Sequence, residues 1–153
     1  NAQQQAGNQY KATDVKASKS NKAYFYTANI ANAYPEDADV ESWIRDFSLN
    51  KKSNIFEVTE KFVLRKFKAS PKMVFMMHVK PSIHGDKVNL VLADGHKAVL
   101  SFKTKTKAIN IEEIPLDDPR IMKVWGKKVY RVIAEVDSKL ETGIIQYNFT
   151  FNK

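Results

Sequence analysis

The sequence predicts an all-β protein, most simply an antiparallel β-sandwich of roughly nine to ten strands. Three observations support this prediction. Apolar and polar residues alternate along several short segments, turn-forming residues separate those segments, and the segments recur about every 10–12 residues. No segment keeps a 3.6-residue apolar period, so helix is expected only as one short turn at residues 119–125.

The clearest alternation lies near the C-terminus. Ile145, Tyr147, Phe149 and Phe151 are apolar, and the residues between them are polar. Successive side chains of a strand point to opposite faces, so this pattern places one bulky face on a core. Residues 130–136 repeat the pattern, and a segment rich in turn formers separates the two stretches. We therefore expect them to pair as an antiparallel hairpin.

A second hairpin is predicted at residues 88–92 and 98–102, which flank Asp94-Gly95. This dipeptide supplies the positive-φ positions that a tight hairpin turn needs. Further strands are predicted at 24–30, 40–49, 55–64, 73–79 and 107–111.

Domain organisation follows from composition along the chain. Residues 1–20 are polar and are expected to form a lead-in or an edge strand, in which Asn1-Ala2 has the form left by protease removal of a cloning tag. Residues 21–153 are expected to form a single β-sandwich domain. The chain has no cysteine, which excludes disulfides, thiolate catalysis and cysteine-type zinc sites. No run of about 18 apolar residues is present, so no membrane span is predicted.

The charge is positive and unevenly distributed. The net charge is +8; residues 1–60 carry 7 Lys/Arg against 8 Asp/Glu, and residues 61–153 carry 18 against 9. A basic half of this kind attracts polyanions through its long-range field. Solvated lysines on exposed strand faces explain the same composition without a ligand.

Six basic residues are the candidate substrate-binding residues. If the segment Lys103-Thr104-Lys105-Thr106-Lys107 is one strand, its three lysines line one face at roughly 6–7 Å spacing and could meet the sulfates or carboxylates of an acidic sugar chain. Lysines also protect edge strands from aggregation, and this reading stays open. A weaker basic cluster contains Arg65, Lys66 and Lys68.

Motifs for other chemistry are absent. His78, His84 and His96 do not have the spacing of a recognised ligand set, so no metal site is predicted. No phosphate-binding glycine loop, Gly-x-Ser-x-Gly elbow or His-Glu-x-x-His motif occurs, so no catalytic residue is predicted in this chain. The basic residues are not interleaved with exposed aromatics, which disfavours nucleic acid as a partner. Five aromatic residues are either core or sugar-stacking residues: Tyr24, Tyr26, Tyr34, Trp43 and Trp125.

One stretch carries a family resemblance. Tyr34-Pro35-Glu36-Asp37 forms a turn that leads into an alternating segment ending in Asn50-Lys51-Lys52-Ser53-Asn54, after which a new apolar run begins. Together with residues 3–12, this order resembles the C-terminal β-sheet half of the heparinase II/III-like polysaccharide lyases. The resemblance covers about the first 65 residues; the remainder is similar only in general β character.

The resemblance implies that the chain is a fragment of a larger bacterial enzyme, periplasmic or secreted, that cleaves uronic-acid polysaccharides by β-elimination. A Tyr/His pair of the whole enzyme would abstract the C5 proton. The tyrosine would belong to an N-terminal helical toroid and the histidine would lie upstream of Asn1, so the fragment alone is expected to be inactive.

The implied partners are that toroid and an acidic polysaccharide of heparan or alginate type. No cofactor is expected in this chain; a structural divalent metal such as zinc would belong to the parent enzyme. The alternative function is that of a non-catalytic β-sandwich module that binds acidic glycans.

Overall fold

The structure, a computed structural model, describes residues 6–152. They form eleven strands, one short α-helix and two 3₁₀ turns. The strands are β1 (Thr13–Lys19), β2 (Ala23–Asn29), β3 (Val40–Asn50), β4 (Ile55–Leu64), β5 (Lys72–Met77), β6 (Ser82–His84), β7 (Lys87–Val91), β8 (Lys97–Phe102), β9 (Thr106–Pro115), β10 (Lys128–Val136) and β11 (Thr142–Asn152). Helix α1 spans Pro119–Trp125, and the 3₁₀ turns span Ala31–Ala33 and Glu36–Ala38.

The strands form two antiparallel sheets of unequal size. The large sheet has eight strands in the order β1-β2-β3-β4-β11-β8-β7-β6, and the small sheet has three in the order β5-β10-β9. The inner faces of the two sheets share one apolar core, in which Val58, Leu100, Val132 and Ile145 are fully buried. The predicted all-β sandwich is confirmed, with eleven strands where nine or ten were expected.

Two local predictions are also confirmed. Strands β7 and β8 form the predicted hairpin, and Gly95 in its turn has a φ of 84°, a conformation that favours glycine. The predicted short helix is α1, which begins at Pro119. Its N-cap residue, Asp118, accepts a hydrogen bond from the backbone N–H of Arg120.

The predicted hairpin between residues 130–136 and 145–151 is wrong. Strand β10 pairs with β5 and β9 in the small sheet, and β11 pairs with β4 and β8 in the large sheet. The connection at 137–141 therefore crosses from one sheet to the other. Alternation identifies the core-facing residues of each strand, but the two sheets of a sandwich face the same core, so the pattern is identical for both.

Three such connections meet at one end of the sandwich, which we call the crossover end. They are residues 65–71, 103–105 and 137–141, and hydrogen bonds join them. Glu141 Oε1 accepts from the Phe67 N–H at 3.3 Å, Ser138 O accepts from the Ser70 hydroxyl at 3.0 Å, and the Asp137 N–H donates to Lys105 O at 3.0 Å. The fold thus brings together segments that are far apart in the sequence.

Candidate acidic-glycan-binding site

The three lysines at 103, 105 and 107 do not form a ladder. Strand β8 ends at Phe102 and β9 begins at Thr106, so the lysines follow a crossover and do not share one strand face. Each ammonium contacts a different carboxylate: Lys103 lies 2.6 Å from Glu57, Lys105 lies 2.6 Å from Asp137, and Lys107 lies 3.1 Å from Glu135. The expected strand geometry is wrong because a Lys-Thr repeat imitates the alternation of a strand.

The other basic cluster lies at the start of the 65–71 crossover. Lys68 forms an ion pair with Asp39 at 2.5 Å and donates to the backbone O of Asp37 at 2.6 Å. Arg65 and Lys66 are exposed, and within residues 6–152 neither has a carboxylate at ion-pair distance. These two side chains are therefore available to an external anion.

Arg65 lines a cleft of about 350 Å³ at this end of the molecule. Two half-buried tyrosines, Tyr10 and Tyr34, lie in the cleft with it. The remaining lining residues come from the lead-in, the turns before β3 and the start of β3: Gln9, Ala31, Asn32, Pro35, Glu36 and Val40. The cleft thus combines one guanidinium without an ion-pair partner among residues 6–152, two aromatic rings, two side-chain amides and the exposed carboxylate of Glu36.

Local packing fixes the wall of this cleft. The Asn29 side-chain oxygen accepts from the backbone N–H groups of Ala31 and Trp43 at 3.1 and 3.2 Å, which holds the 3₁₀ turn against β3. The Tyr34 ring lies 6.4 Å from the Trp43 ring, which stacks at 5.3 Å on the buried Phe62. Contacts with the core therefore hold the Tyr34 side chain in place. Ligand binding then loses little additional conformational entropy at this side chain.

Basic side chains at the crossover end act on two carboxylates. The hydrogen bond from Lys68, helped by the charges of Lys68 itself, Arg65 and Lys66, holds the pKa of the Asp39 carboxyl below its usual value. The hydrogen bond from Lys105 lowers the pKa of Asp137 in the same way, and Lys107 and Lys139 add to this effect. In both cases a hydrogen bond from one lysine is the main cause, and the neighbouring positive charges act in the same direction.

A buried polar network lies on the inner face of the large sheet. The Glu60 carboxylate is fully buried and accepts hydrogen bonds from Arg45 Nε at 2.8 Å, from Tyr147 Oη at 3.0 Å and from Trp43 Nε1. Burial, followed by the negative charge of Glu60, raises the pKa of the Tyr147 hydroxyl. Trp43 belongs both to this network and to the support of the cleft.

Some residues of the cleft escaped the sequence prediction. Tyr10 and Asn32 line the cleft but have no distinctive local motif, and only the fold brings them to Arg65. Of the five candidate stacking residues, Tyr34 lies in the cleft and Trp43 behind it. Lys103 lies apart from the cleft, beside Asp46 and Gln146 in a groove on the outer face of the large sheet.

Each histidine contacts a different side chain. His84 bonds to Asn89 at 2.9 Å, His96 bonds to Asp94 at 2.7 Å, and the His78 ring lies 6.2 Å from that of Trp125. Within residues 6–152, no group of three or more His, Cys, Asp or Glu side chains is arranged to hold a metal ion. In the same part of the chain, no helix is long and apolar enough to cross a membrane.

Comparison with solved structures identifies the fold. The chain is similar to heparan sulfate lyase HepC from Pedobacter heparinus, with a TM-score of 0.64 and 15% identity over 94% of this chain and 22% of that chain. A HepC mutant gives a TM-score of 0.62 at 14% identity, with the same coverage of each chain. No protein-family model and no curated protein sequence matches the chain.

This similarity concerns the fold alone, because the sequence identity is low. The expected resemblance to heparinase-type lyases is confirmed at that level. The chain spans less than a quarter of the length of the HepC chains that it matches.

Proposed function

We propose that the chain is the C-terminal β-domain of a heparinase II/III-like polysaccharide lyase, and that it binds the acidic polysaccharide substrate in the Arg65 cleft. The observation that carries this proposal is a guanidinium with no carboxylate partner among the described residues, placed beside two tyrosine rings in a concave site. The fold shared with a heparan sulfate lyase supports the choice of ligand class.

The side chains of the cleft suit an acidic sugar. The planar guanidinium of Arg65 can donate two parallel hydrogen bonds to a carboxylate or a sulfate, which is stronger and more directional than a contact with a lysine ammonium. The faces of Tyr10 and Tyr34 offer apolar area to the C–H groups of a sugar ring, and their hydroxyls offer hydrogen bonds. The Gln9 and Asn32 amides each provide donors and an acceptor for sugar hydroxyls.

The surrounding basic residues form an outer zone of weaker contacts. Lys66, Lys68, Lys105 and Lys107 lie along the crossover end and extend the positive field beyond the cleft. Exposed ion pairs such as Lys105–Asp137 contribute little to stability because solvent screens them, so a lysine can exchange its carboxylate for a sugar sulfate at little cost. Lys103 contributes least, because it lies in the groove on the outer face.

In this proposal the domain positions substrate and does not perform the chemistry. Proton abstraction at C5 and elimination of the 4-linked sugar would belong to an N-terminal helical toroid and to the segment preceding Asn1. The domain would contribute by holding the acidic chain in register with those groups. The parent protein would be a bacterial periplasmic or secreted enzyme, and its substrate would be a heparan-type or alginate-type polysaccharide.

The direct test compares two arginine substitutions on a heparin column. Arg65→Gln should elute at clearly lower salt than the wild type, because it removes the unpaired guanidinium of the cleft. Arg120→Gln is the matched control, since it removes the same charge from α1, where Arg120 pairs with Asp118 at 2.8 Å. Equal elution of the two variants would contradict the assignment of the cleft.

A non-catalytic glycan-binding module remains the second candidate, and one observation favours it. The guanidinium, tyrosine rings and amides of the cleft can bind an acidic glycan without catalysing a reaction. Lyase activity of the complete gene product separates the two candidates. Release of unsaturated product from heparan sulfate or alginate, followed by ultraviolet absorbance, supports the lyase; binding without product supports the module.

A further inference from the structure

The small sheet leaves part of the inner face of the large sheet uncovered. A row of aromatic rings, which we call the aromatic row, runs across β2, β3, β4 and β11, and its neighbouring centroids are 5.6–6.4 Å apart. Its members are Tyr26, Phe47, Phe56, Phe149 and Phe151. Phe75 of β5 stands edge-on to Phe149 at 5.9 Å, whereas Tyr26 and Phe151 remain 41% and 43% exposed.

Strand β5 ends the small sheet beside this uncovered face. It pairs with β10 on one side only, so its other edge has unpaired backbone groups. Residues 74–79, which span the end of β5, line one apolar groove of about 550 Å³ together with Phe56, Phe149 and Phe151 of the aromatic row. The end of β5 and three rings of the aromatic row therefore line one continuous groove.

The other three sheet edges in residues 6–152 are protected against pairing, and β5 is not. Strand β1 has a register irregularity and carries Lys16 and Lys19; β6 is only 3 residues long; and β9 has a register irregularity and a charged pair, Glu112-Glu113. Strand β5 is regular over its 6 residues, and its only charge is at Lys72. Exposed regular edges are normally blocked, because they recruit other strands.

The space beyond β5 fits one layer of extended chain. At the crossover end, β5, β10 and β9 connect to β4, β11 and β8 in matching order, so the free edge of β5 faces the side where β1–β3 continue the large sheet. Stacked sheets lie about 10 Å apart, which admits a single sheet layer over β1–β3. A second copy of this sandwich, paired edge to edge, would bring its own large sheet into the position of β1–β3.

We propose that an extended segment of the parent polypeptide, from outside this chain, pairs with the free edge of β5 and covers the aromatic row. The segment would have about six residues, matching β5, with apolar side chains at alternate positions. The proposal rests on the proposed function, in which the chain belongs to a longer lyase; the similar HepC chains extend far beyond the part matched here.

Hydrogen exchange compares the 153-residue chain with the full-length protein. Alternate amides of β5 should exchange at least tenfold more slowly in the full-length protein, because only alternate N–H groups face the free edge. The amides of β11, which is paired on both sides, serve as the control for global stability. Unchanged β5 exchange, or a gene product that ends with this chain, would overturn the proposal.

A pair of substitutions on β2 tests the covering of the aromatic row. Tyr26 and Phe25 are adjacent and similarly exposed but point to opposite faces of the large sheet. Tyr26→Lys should lower the Tm of the full-length protein by several degrees more than Phe25→Lys, whereas the two should differ little in the 153-residue chain. Equal shifts in the full-length protein would contradict the proposal. Heparin retention tests the Arg65 cleft separately, so failure of the cleft assignment can be distinguished from failure of the strand pairing.

Discussion

Glu60 on β4 and Arg45 on β3 form an ion pair inside the sandwich, with Arg45 Nε 2.8 Å from the carboxylate. The carboxylate is fully buried, and the arginine side chain is 31% exposed. Two further donors, Trp43 and Tyr147, satisfy the same carboxylate. Burying a charge is costly unless it is paired and hydrogen-bonded, and here both conditions are met.

Glu60→Gln should lower the free energy of unfolding by about 3 kcal/mol, because it leaves Arg45 without its counter-charge. Tyr147→Phe should cost only about 1 kcal/mol, since the carboxylate keeps its other donors. Urea denaturation of both variants measures the difference. If the two costs are equal, the charge of Glu60 does not stabilise the fold.

Alkaline pH should destabilise the protein partly through Tyr147. Its pKa in the folded state is raised above the ordinary value of 10.0, so the folded protein retains this proton longer than the unfolded chain. The stabilisation is therefore complete below about pH 10 and is lost as the pH rises toward the folded-state pKa. Tyr147→Phe should show a shallower decline in unfolding free energy above about pH 10. Parallel declines in wild type and variant would refute this role.

Gly143→Ala should destabilise the sandwich by about 1–3 kcal/mol through overpacking. A Cβ at this position would lie 2.6 Å from Cζ of Phe62, which is buried and stacks on Trp43. Gly95→Ala is a useful contrast, because its Cβ would meet nothing within 4 Å and its cost comes from the positive φ alone. If the steric argument is correct, Gly143→Ala should lose tertiary packing and Gly95→Ala should not. Thermal unfolding of the two variants makes the comparison.

Two double variants rank the basic residues of the crossover end. Arg65→Ala/Lys66→Ala should reduce heparin retention more than Lys105→Ala/Lys107→Ala, although each removes two positive charges. Lys105 and Lys107 already have carboxylate partners, and Arg65 and Lys66 have none among the described residues. Retention should fall with salt for all proteins, since the Debye length is about 8 Å at physiological ionic strength. A larger loss for the Lys105/Lys107 variant would restore those lysines as the main contacts.

The sequence was informative about which residues face the core and less so about which strands are neighbours. A tight turn can be predicted from the few residues that form it, and Asp94-Gly95 predicted its hairpin correctly. Strand β10 leads to β11 through a segment that looks like a hairpin loop but crosses between sheets, because alternation does not distinguish two sheets that share a core. A different cause, the Lys-Thr repeat, made residues 103–107 resemble one strand.

Two features of the site differ in how far they could have been foreseen. Glu60 occupies an inward position between Val58 and Phe62, and a charged residue in such a position signals a buried partner. The Arg65 cleft carries no comparable signal. Tyr10, Asn32 and Arg65 come from separate segments, and their proximity depends on the turns before β3 and on the crossover after β4.

The most direct measurement of the central claim is an NMR titration of the chain with a heparan-type hexasaccharide, with a neutral hexasaccharide as control. The account predicts chemical-shift changes that occur with the acidic hexasaccharide and not with the neutral one. The largest should be at the cleft residues Tyr10, Asn32, Tyr34 and Arg65, with smaller changes at Lys66 and Lys68. Shifts spread evenly over the surface lysines, or centred on the outer-face groove beside Lys103, would contradict the account.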